Sequence, residues 1–160
     1  MSLMTLEPSV QLPPQMSTLA PAVDDVYFFI YWMSVAFLIG ITGFAAYFSW
    51  KYKRKPGVKA EPTGHNTVLE VGWTVAPIFV LIFLFHAGFK GYLDMAVAPA
   101  DSIEIRVRGF QWGWDFEYSN GAHTPNLRVP VGKPVKLIMS SADVLHSFYV
   151  PAFRIKRDLV

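Results

Sequence analysis

The amino-acid sequence predicts a membrane protein in which two transmembrane helices are followed by an all-β domain. Residues 26–50 form a run of 25 residues without any Asp, Glu, Lys, Arg or His. A second run, residues 71–89, contains His86 as its only ionisable residue. After Pro99 the spacing of apolar residues changes to the two-residue period that is typical of β-strands. These observations predict a helical hairpin first and a sheet second.

Both apolar runs are long enough to cross a bilayer. As helices they would measure about 37 Å and about 28 Å, against a hydrocarbon core of about 30 Å. The alternative is a pair of buried helices in a water-soluble protein, but only about 60 residues elsewhere would have to cover both. We therefore predict a transmembrane hairpin over residues 26–90, with the lipid bilayer as its partner. Asp24-Asp25 is a start signal for the first helix, and Lys90-Gly91 is expected to end the second membrane span.

The loop between the helices, residues 51–70, sets the predicted orientation. It carries five basic residues: Lys51, Lys53, Arg54, Lys55 and Lys59. By the positive-inside rule this loop lies in the cytoplasm, so both termini face the outer compartment. Residues 1–25 then form a proline-rich extracytoplasmic tail, which lacks the positive n-region of a secretory signal. This pattern favours a bacterial inner (cell) membrane over a mitochondrial inner membrane.

Composition excludes several classes of function. The net charge of +2, without a basic face interleaved with aromatic residues, predicts no nucleic-acid partner. The absence of cysteine excludes disulfides, thiolate metal sites and cysteine nucleophiles within these 160 residues. What remains is a membrane anchor that carries a small β domain.

The β domain is predicted from four strands and the turns between them. Residues 103–108 alternate apolar with charged side chains, and residues 112–118 place aromatic side chains on one face. Residues 135–139 and 145–150 supply two more strands, and Asn120-Gly121 is a strong turn signal. Short strands at this spacing indicate a β-sandwich or barrel. Because some 60 residues are few for such a domain and the last strand has no predicted partner, we expect the domain to be incomplete at the C-terminus.

Three residues invite both a functional and a structural interpretation. Glu70 lies where the basic loop joins the second helix. It could be a helix cap that the helix dipole stabilises, or an acid that collects protons for a relay. His146 lies on the last predicted strand. It could be an ordinary hydrogen-bonded histidine or a metal ligand. Trp112 belongs to the aromatic face, which suits sheet packing, a membrane interface or electron transfer.

Three motifs in order give the chain a resemblance to a known family. They are residues 70–77 (Glu-Val-Gly-Trp-Thr-Val-Ala-Pro), residues 111–118 (Gln-Trp-Gly-Trp-Asp-Phe-Glu-Tyr) and residues 143–151 (Asp-Val-Leu-His-Ser-Phe-Tyr-Val-Pro). With two spans upstream, the chain over roughly residues 24–160 resembles subunit II of cytochrome c oxidase, a haem-copper oxygen reductase.

The resemblance implies a fold and a function. Residues 91–160 would form the first part of a cupredoxin-like Greek-key domain that carries the binuclear copper centre CuA. This centre accepts electrons from cytochrome c and passes them to haem in subunit I, where oxygen is reduced. His146 matches the first CuA ligand, and Trp112 matches the tryptophan through which electrons enter. Glu70 matches the acid at the cytoplasmic mouth of a proton pathway. Subunit I and other oxidase subunits would be the partners.

The chain departs from the family pattern at its end. The remaining copper ligands of the family come from a downstream Cys-x-Glu-x-Cys-x-x-x-His-x-x-Met segment, which these residues do not contain. Copper is therefore expected only if the missing C-terminal segment is present. The chain could be part of a longer subunit, one product of a split gene, or a subunit that has lost copper; we favour the first because Val160 falls just after a strand.

Two other functions compete with electron input. A quinol oxidase subunit II keeps the fold but lacks CuA, which agrees with the missing cysteines and disagrees with His146. A metal-free membrane-anchored scaffold subunit would give the Trp112 and Glu70 motifs no purpose. Asp115, Glu117 and Asp143 could form part of a negative patch for a basic cytochrome c.

Overall fold

The computed structural model describes residues 9–59 and 61–160, and the predicted fold class is confirmed: two long apolar helices precede a β domain. The first eight residues of the predicted tail lie outside this part of the chain. The elements in chain order are α1 (Ala20–Lys51), α2 (Thr67–Ala96), β1 (Ile103–Phe110), β2 (Gly113–Tyr118), β3 (His123–Thr124), β4 (Val135–Ser141), β5 (His146–Val150), a 3-10 turn (Pro151–Phe153) and β6 (Ile155–Leu159). Residues 24–89 form one compact unit, and residues 90–160 with residues 9–23 form the other.

Both helices extend beyond the apolar runs that predicted them. α1 begins at Ala20, upstream of the predicted start at Asp24-Asp25, because the Ser17 hydroxyl accepts a hydrogen bond from Ala20 N–H (3.1 Å) and caps the helix. α2 continues through Lys90-Gly91 to Ala96, since charged residues are compatible with a helix that has left the apolar layer. The expected start of the first helix at Asp24-Asp25 was therefore wrong, whereas the second helix continues beyond the predicted end of its span. Each helix has the length and composition to cross a membrane.

The larger sheet has the strand order β3-β2-β1-β4. β1 lies at its centre, antiparallel to β2 with Val107 opposite Phe116, and parallel to β4 with Val107 opposite Met139. The parallel pairing brings the end of β4 beside the end of β1, where Ser141 is opposite Gly109. The residues that follow these two strands are thereby close together in space.

A separate two-stranded sheet pairs β5 with β6, with His146 opposite Leu159 and Phe148 opposite Arg157. The expectation that the last predicted strand has no partner was therefore wrong. β6 escaped prediction because residues 156–158 are Lys-Arg-Asp, three exposed polar residues in a row, and only the two ends of the strand turn inward. A strand of this kind lacks the apolar alternation from which strands are predicted.

The two sheets share one small core. Its buried side chains are Ile105, Val107, Phe116, Phe148 and Leu159. Burial of each such side chain contributes about 1.5–3 kcal/mol. Trp114 and Tyr118 pack against this core, as the predicted aromatic face requires, but Trp112 does not. β2 begins at Gly113, and the Trp112 side chain is 93% exposed.

Candidate functional site

The loop between β4 and β5 is folded so that it presents Asp143. The Ser141 hydroxyl donates to the carbonyl oxygen of Val144 and accepts from Asp143 N–H at 3.2 Å. Ala142 N–H donates to the carbonyl of Gly109 at 2.9 Å, which fastens the loop to the end of β1. A serine that hydrogen-bonds its neighbouring backbone in this way stabilises a tight turn. The Asp143 carboxylate consequently lies between the end of β1 and the start of β5.

Asp143 forms a short hydrogen bond with His146. Oδ1 of Asp143 lies 2.6 Å from Nε2 of His146, whose side chain is only 19% exposed. The hydrogen bond with His146, followed by those from Gln111 and Val144 N–H, lowers the pKa of the Asp143 carboxyl to about 2. The carboxylate is therefore ionised at neutral pH and can only accept, so Nε2 carries the hydrogen. In the neutral ring this leaves the lone pair on Nδ1, which is the form in which an imidazole binds a metal.

The same carboxylate reaches back to the segment that bears Trp112. Oδ2 of Asp143 accepts from Gln111 N–H at 2.7 Å, and a cis peptide bond joins Gln111 to Trp112. One carboxylate thus connects the backbone next to an exposed indole with the ring of His146. The structure brings together two of the three predicted site residues, although 34 positions separate them in the sequence.

Two residues that sequence reasoning did not single out pack against His146. The rings of Trp114 and His146 meet edge to face with centroids 6.0 Å apart. Gly109 lies below them: a Cβ built on it would be 3.1 Å from Cζ3 of Trp114 and 3.2 Å from Cδ2 of His146. Only a residue without a side chain leaves both rings in place. A glycine as the seventh residue of an alternating strand was the signal that could have indicated a close approach.

We expect Gly109→Ala to displace the His146 ring. The added methyl group overpacks a site that has no space for it, which costs about 1–3 kcal/mol and outweighs the about 0.5–1 kcal/mol by which alanine favours a strand over glycine. The measurement is the thermal midpoint of the purified protein, with an expected decrease of a few degrees. The control is Gly113→Ala, whose Cβ would meet only the ring of Phe110, which is 40% exposed and free to turn away. Equal midpoints for the two variants would contradict the role of Gly109.

Glu70 lies in the first turn of α2, within the other compact unit. The helix is capped by Asn66, whose Oδ1 accepts from Leu69 N–H at 3.1 Å, so the carboxylate of Glu70 is not needed as a cap. Instead Oε1 of Glu70 lies 2.7 Å from Nδ1 of His65, and its side chain remains 40% exposed. A pairing across a helix start leaves no periodic pattern in the sequence, so this contact of His65 could not be predicted.

A second pair of a histidine with a carboxylate lies in the β domain. Nδ1 of His123 is 2.8 Å from Oδ2 of Asp115. Glu117 lies 3.9 Å from Arg106, and Asp143 is paired with His146. All three carboxylates that could form a negative docking patch therefore have a positively charged or titratable neighbour, which weakens the case for that patch.

The donor atoms of this chain fit one position of a copper site. His146 offers an imidazole with a free Nδ1, held by a carboxylate at its other nitrogen, which is the usual support of a metal-bound histidine. Within residues 9–59 and 61–160 no three His, Cys, Asp or Glu side chains gather as a metal cluster. A thiolate-rich copper centre needs sulfur donors, and the sequence has no cysteine. The chain can thus contribute a ligand but cannot hold such a centre alone.

Comparison with known families matches both parts of the chain. Residues 6–90 match the family described as cytochrome c oxidase subunit II, transmembrane domain. Residues 122–160 match the family described as cytochrome c oxidase subunit II, periplasmic domain. Together with the two apolar helices, the first match identifies a membrane protein.

Individual relatives have the same subunit name. Cytochrome c oxidase subunit 2 of Thermostichus vulcanus is 28% identical over 93% of this chain and 63% of its own length. The protein of the same name from Alkalihalophilus pseudofirmus is 38% identical over 77% of this chain and 40% of its own length. Alternative cytochrome c oxidase subunit 2 of Bradyrhizobium diazoefficiens is 27% identical over 86% and 61%, respectively. The chain thus spans between 40% and 63% of the length of these relatives.

Proposed function

Because the chain belongs to the cytochrome c oxidase subunit II family, we propose that it is the electron-input subunit of a terminal oxidase. The proposal places it in a bacterial cell membrane, with the β domain on the outer side and the basic loop in the cytoplasm. Its partners are oxidase subunit I, which holds the haem, and the other oxidase subunits. Its electron donor is cytochrome c or a cytochrome c domain.

One observation carries the proposal: Asp143 hydrogen-bonds both Gln111 N–H and Nε2 of His146. The exposed indole of Trp112 offers a donor protein a flat aromatic surface. From the backbone beside that indole, the Asp143 carboxylate leads directly to the His146 ring. Electrons that arrive at Trp112 therefore have a short route through hydrogen-bonded groups to His146.

One residue of this chain would bind copper directly. A binuclear copper centre would supply a site that gains and loses one electron at a time. His146 would supply Nδ1 to it, while Asp143 fixes the orientation of the ring and Trp114 and Gly109 limit its movement. We propose that the thiolates and the other ligands are supplied by residues other than these 160.

The proposal is tested by measuring which donor the purified complex oxidises. Reduced cytochrome c and a soluble quinol are offered separately, and oxygen consumption is followed. Rapid oxidation of cytochrome c and no direct oxidation of quinol is the expected result. Oxidation of quinol without cytochrome c would assign the chain to the quinol oxidases, and oxidation of neither would favour a scaffold.

Proton uptake is the second part of the proposal and depends on Glu70. Its carboxylate is half exposed at the start of α2 and hydrogen-bonded to His65, so it can exchange protons with water while it is held at the mouth of the helix. Asn66 caps the helix, which leaves Glu70 without a required structural task there. We propose that Glu70 is the entrance through which protons from the cytoplasm reach subunit I.

Glu70→Ala is expected to slow steady-state turnover and proton uptake severalfold, while the first electron transfer from cytochrome c into the complex stays fast. The reason is that only the supply of protons, and no group near His146, is altered. Stopped-flow kinetics with a pH indicator measures both steps. The matched control is Glu61→Ala, which removes an exposed acid from the same loop. Unchanged turnover in the Glu70 variant would contradict the proton entrance.

A further inference from the structure

The N-terminal segment is hydrogen-bonded to the turn that joins β5 and β6. Residues 9–23 belong to the same compact unit as the β domain. Three hydrogen bonds join the two segments: Met16 N–H to the carbonyl of Ala152 (2.9 Å), the Ser17 hydroxyl to the carbonyl of Phe153 (3.0 Å), and the Arg154 guanidinium to the carbonyl of Pro13 (2.7 Å). The segment that leads into α1 is therefore attached to the β domain as well.

Arg154 connects the turn with the N-terminal segment through one side chain. Its NH1 group donates to the carbonyl of Pro151 and its NH2 group to that of Pro13, both at 2.7 Å. The residue has φ 59° and ψ 28°, a left-handed conformation that favours glycine. Arginine is disfavoured by this backbone, but the two terminal nitrogens of its planar fork reach two separate carbonyls, whereas lysine has a single donor nitrogen and glycine has no side-chain donor. A strained position that is occupied by a bridging side chain points to a specific task.

The Ser17 hydroxyl forms two hydrogen bonds, one as an acceptor and one as a donor. It accepts from Ala20 N–H at 3.1 Å and so caps α1. It also donates its own hydrogen to the carbonyl of Phe153 at 3.0 Å. The cap of the first helix and the attachment to the β5–β6 turn thus share a single group, which is partly buried.

The β5–β6 hairpin depends on such attachments. An isolated two-stranded hairpin is marginally stable in water, so its position depends on what it packs against. At its open end, where His146 lies opposite Leu159, Ser141 N–H donates to the carbonyl of Val160 at 3.1 Å. At its closed end the N-terminal segment provides the three hydrogen bonds. The hairpin is thereby held at both ends.

From this geometry we propose that Ser17 and Arg154 form a latch that locks the β5–β6 turn to the N-terminal segment and so positions His146. Both are positioning residues, since neither contacts the histidine. The latch itself follows from the hydrogen bonds within the compact unit. Only its effect on copper rests on the proposed function.

The latch is tested by hydrogen–deuterium exchange on the purified complex with two variants. Ser17→Asp keeps the helix cap, because a carboxylate accepts from Ala20 N–H, but it cannot donate to Phe153. Arg154→Lys keeps the charge but replaces the two nitrogens that reach separate carbonyls by a single donor nitrogen. In both variants the amide of Met16 should exchange about fivefold to tenfold faster, as expected for loss of one hydrogen bond. The matched controls are Thr18→Asp and Arg157→Lys, at exposed neighbouring positions.

The copper electron paramagnetic resonance spectrum of the same samples tests the effect on His146. Faster exchange with an altered copper spectrum, absent from both controls, supports the proposal. Unchanged exchange at Met16 overturns the latch. Faster exchange with an unaltered copper spectrum overturns its positioning role. A wild-type complex without copper overturns the proposed function instead, and the exchange rates then still decide whether the latch exists.

Discussion

Replacement of His146 by glutamine is expected to abolish the copper signal of the complex and its oxidation of cytochrome c. Glutamine has a similar length and can donate a hydrogen bond through its NH₂ group, but it lacks the Nδ1 lone pair of the imidazole. The hydrogen bond with Asp143 Oδ1, which fixes the histidine ring, can be retained by the amide, so the domain should stay folded. Copper content and the resonance spectrum of the purified complex are the measurements.

The chain contains its own control for this variant. His123 is paired with Asp115 at 2.8 Å, in the same domain and with the same chemistry as the pair of His146 with Asp143. His123→Gln should leave the copper content and the turnover unchanged. If both variants lost copper alike, the loss would reflect damage to the domain rather than removal of a ligand.

Asp143→Asn is expected to weaken the retention of copper about 10-fold to 100-fold, the usual effect of removing the partner of a metal-bound histidine. The carboxylate accepts at Oδ1 from His146 and Val144, and at Oδ2 from Gln111. An asparagine has one acceptor oxygen and one NH₂ group, so one of these donors must face another donor. Either the ring of His146 or the backbone beside Trp112 is then released.

Chelator titration of the purified complex measures the retention of copper. The rate of electron transfer from cytochrome c measures whether the backbone beside Trp112 has lost its hydrogen bond to Asp143. The matched control is Asp115→Asn, which removes the carboxylate from His123. We expect wild-type copper retention in the control. Wild-type retention in the Asp143 variant would show that the carboxylate does not support a ligand.

Much of the fold was predictable because hydropathy and its period are local properties. The two apolar runs predicted α1 and α2, and the alternation at residues 103–108 predicted β1. The ends of the helices were less predictable. A cap such as Ser17 acts through one hydrogen bond, which leaves no periodic pattern in the sequence. β6 was missed since its three central side chains all lie in water.

The candidate site was predictable in its residues and not in its geometry. Motifs indicated His146, Trp112 and Glu70 individually, but the link through Asp143 from the backbone next to Trp112 to His146 depends on the parallel pairing of β1 with β4. Parallel pairing joins segments that are distant in sequence, and it leaves no local signal. The role of Asp143 as the shared partner depends on that same pairing, together with the turn built by Ser141.

The proposed function requires that His146 is a copper ligand of an electron-input subunit. The most direct test is to measure copper per chain and the copper resonance spectrum of the complex purified from its natural membrane, with ¹⁵N-labelled histidine. We expect two copper ions per chain and a nitrogen coupling that disappears in His146→Gln. A copper-free complex, or a nitrogen coupling that survives this substitution, would contradict it.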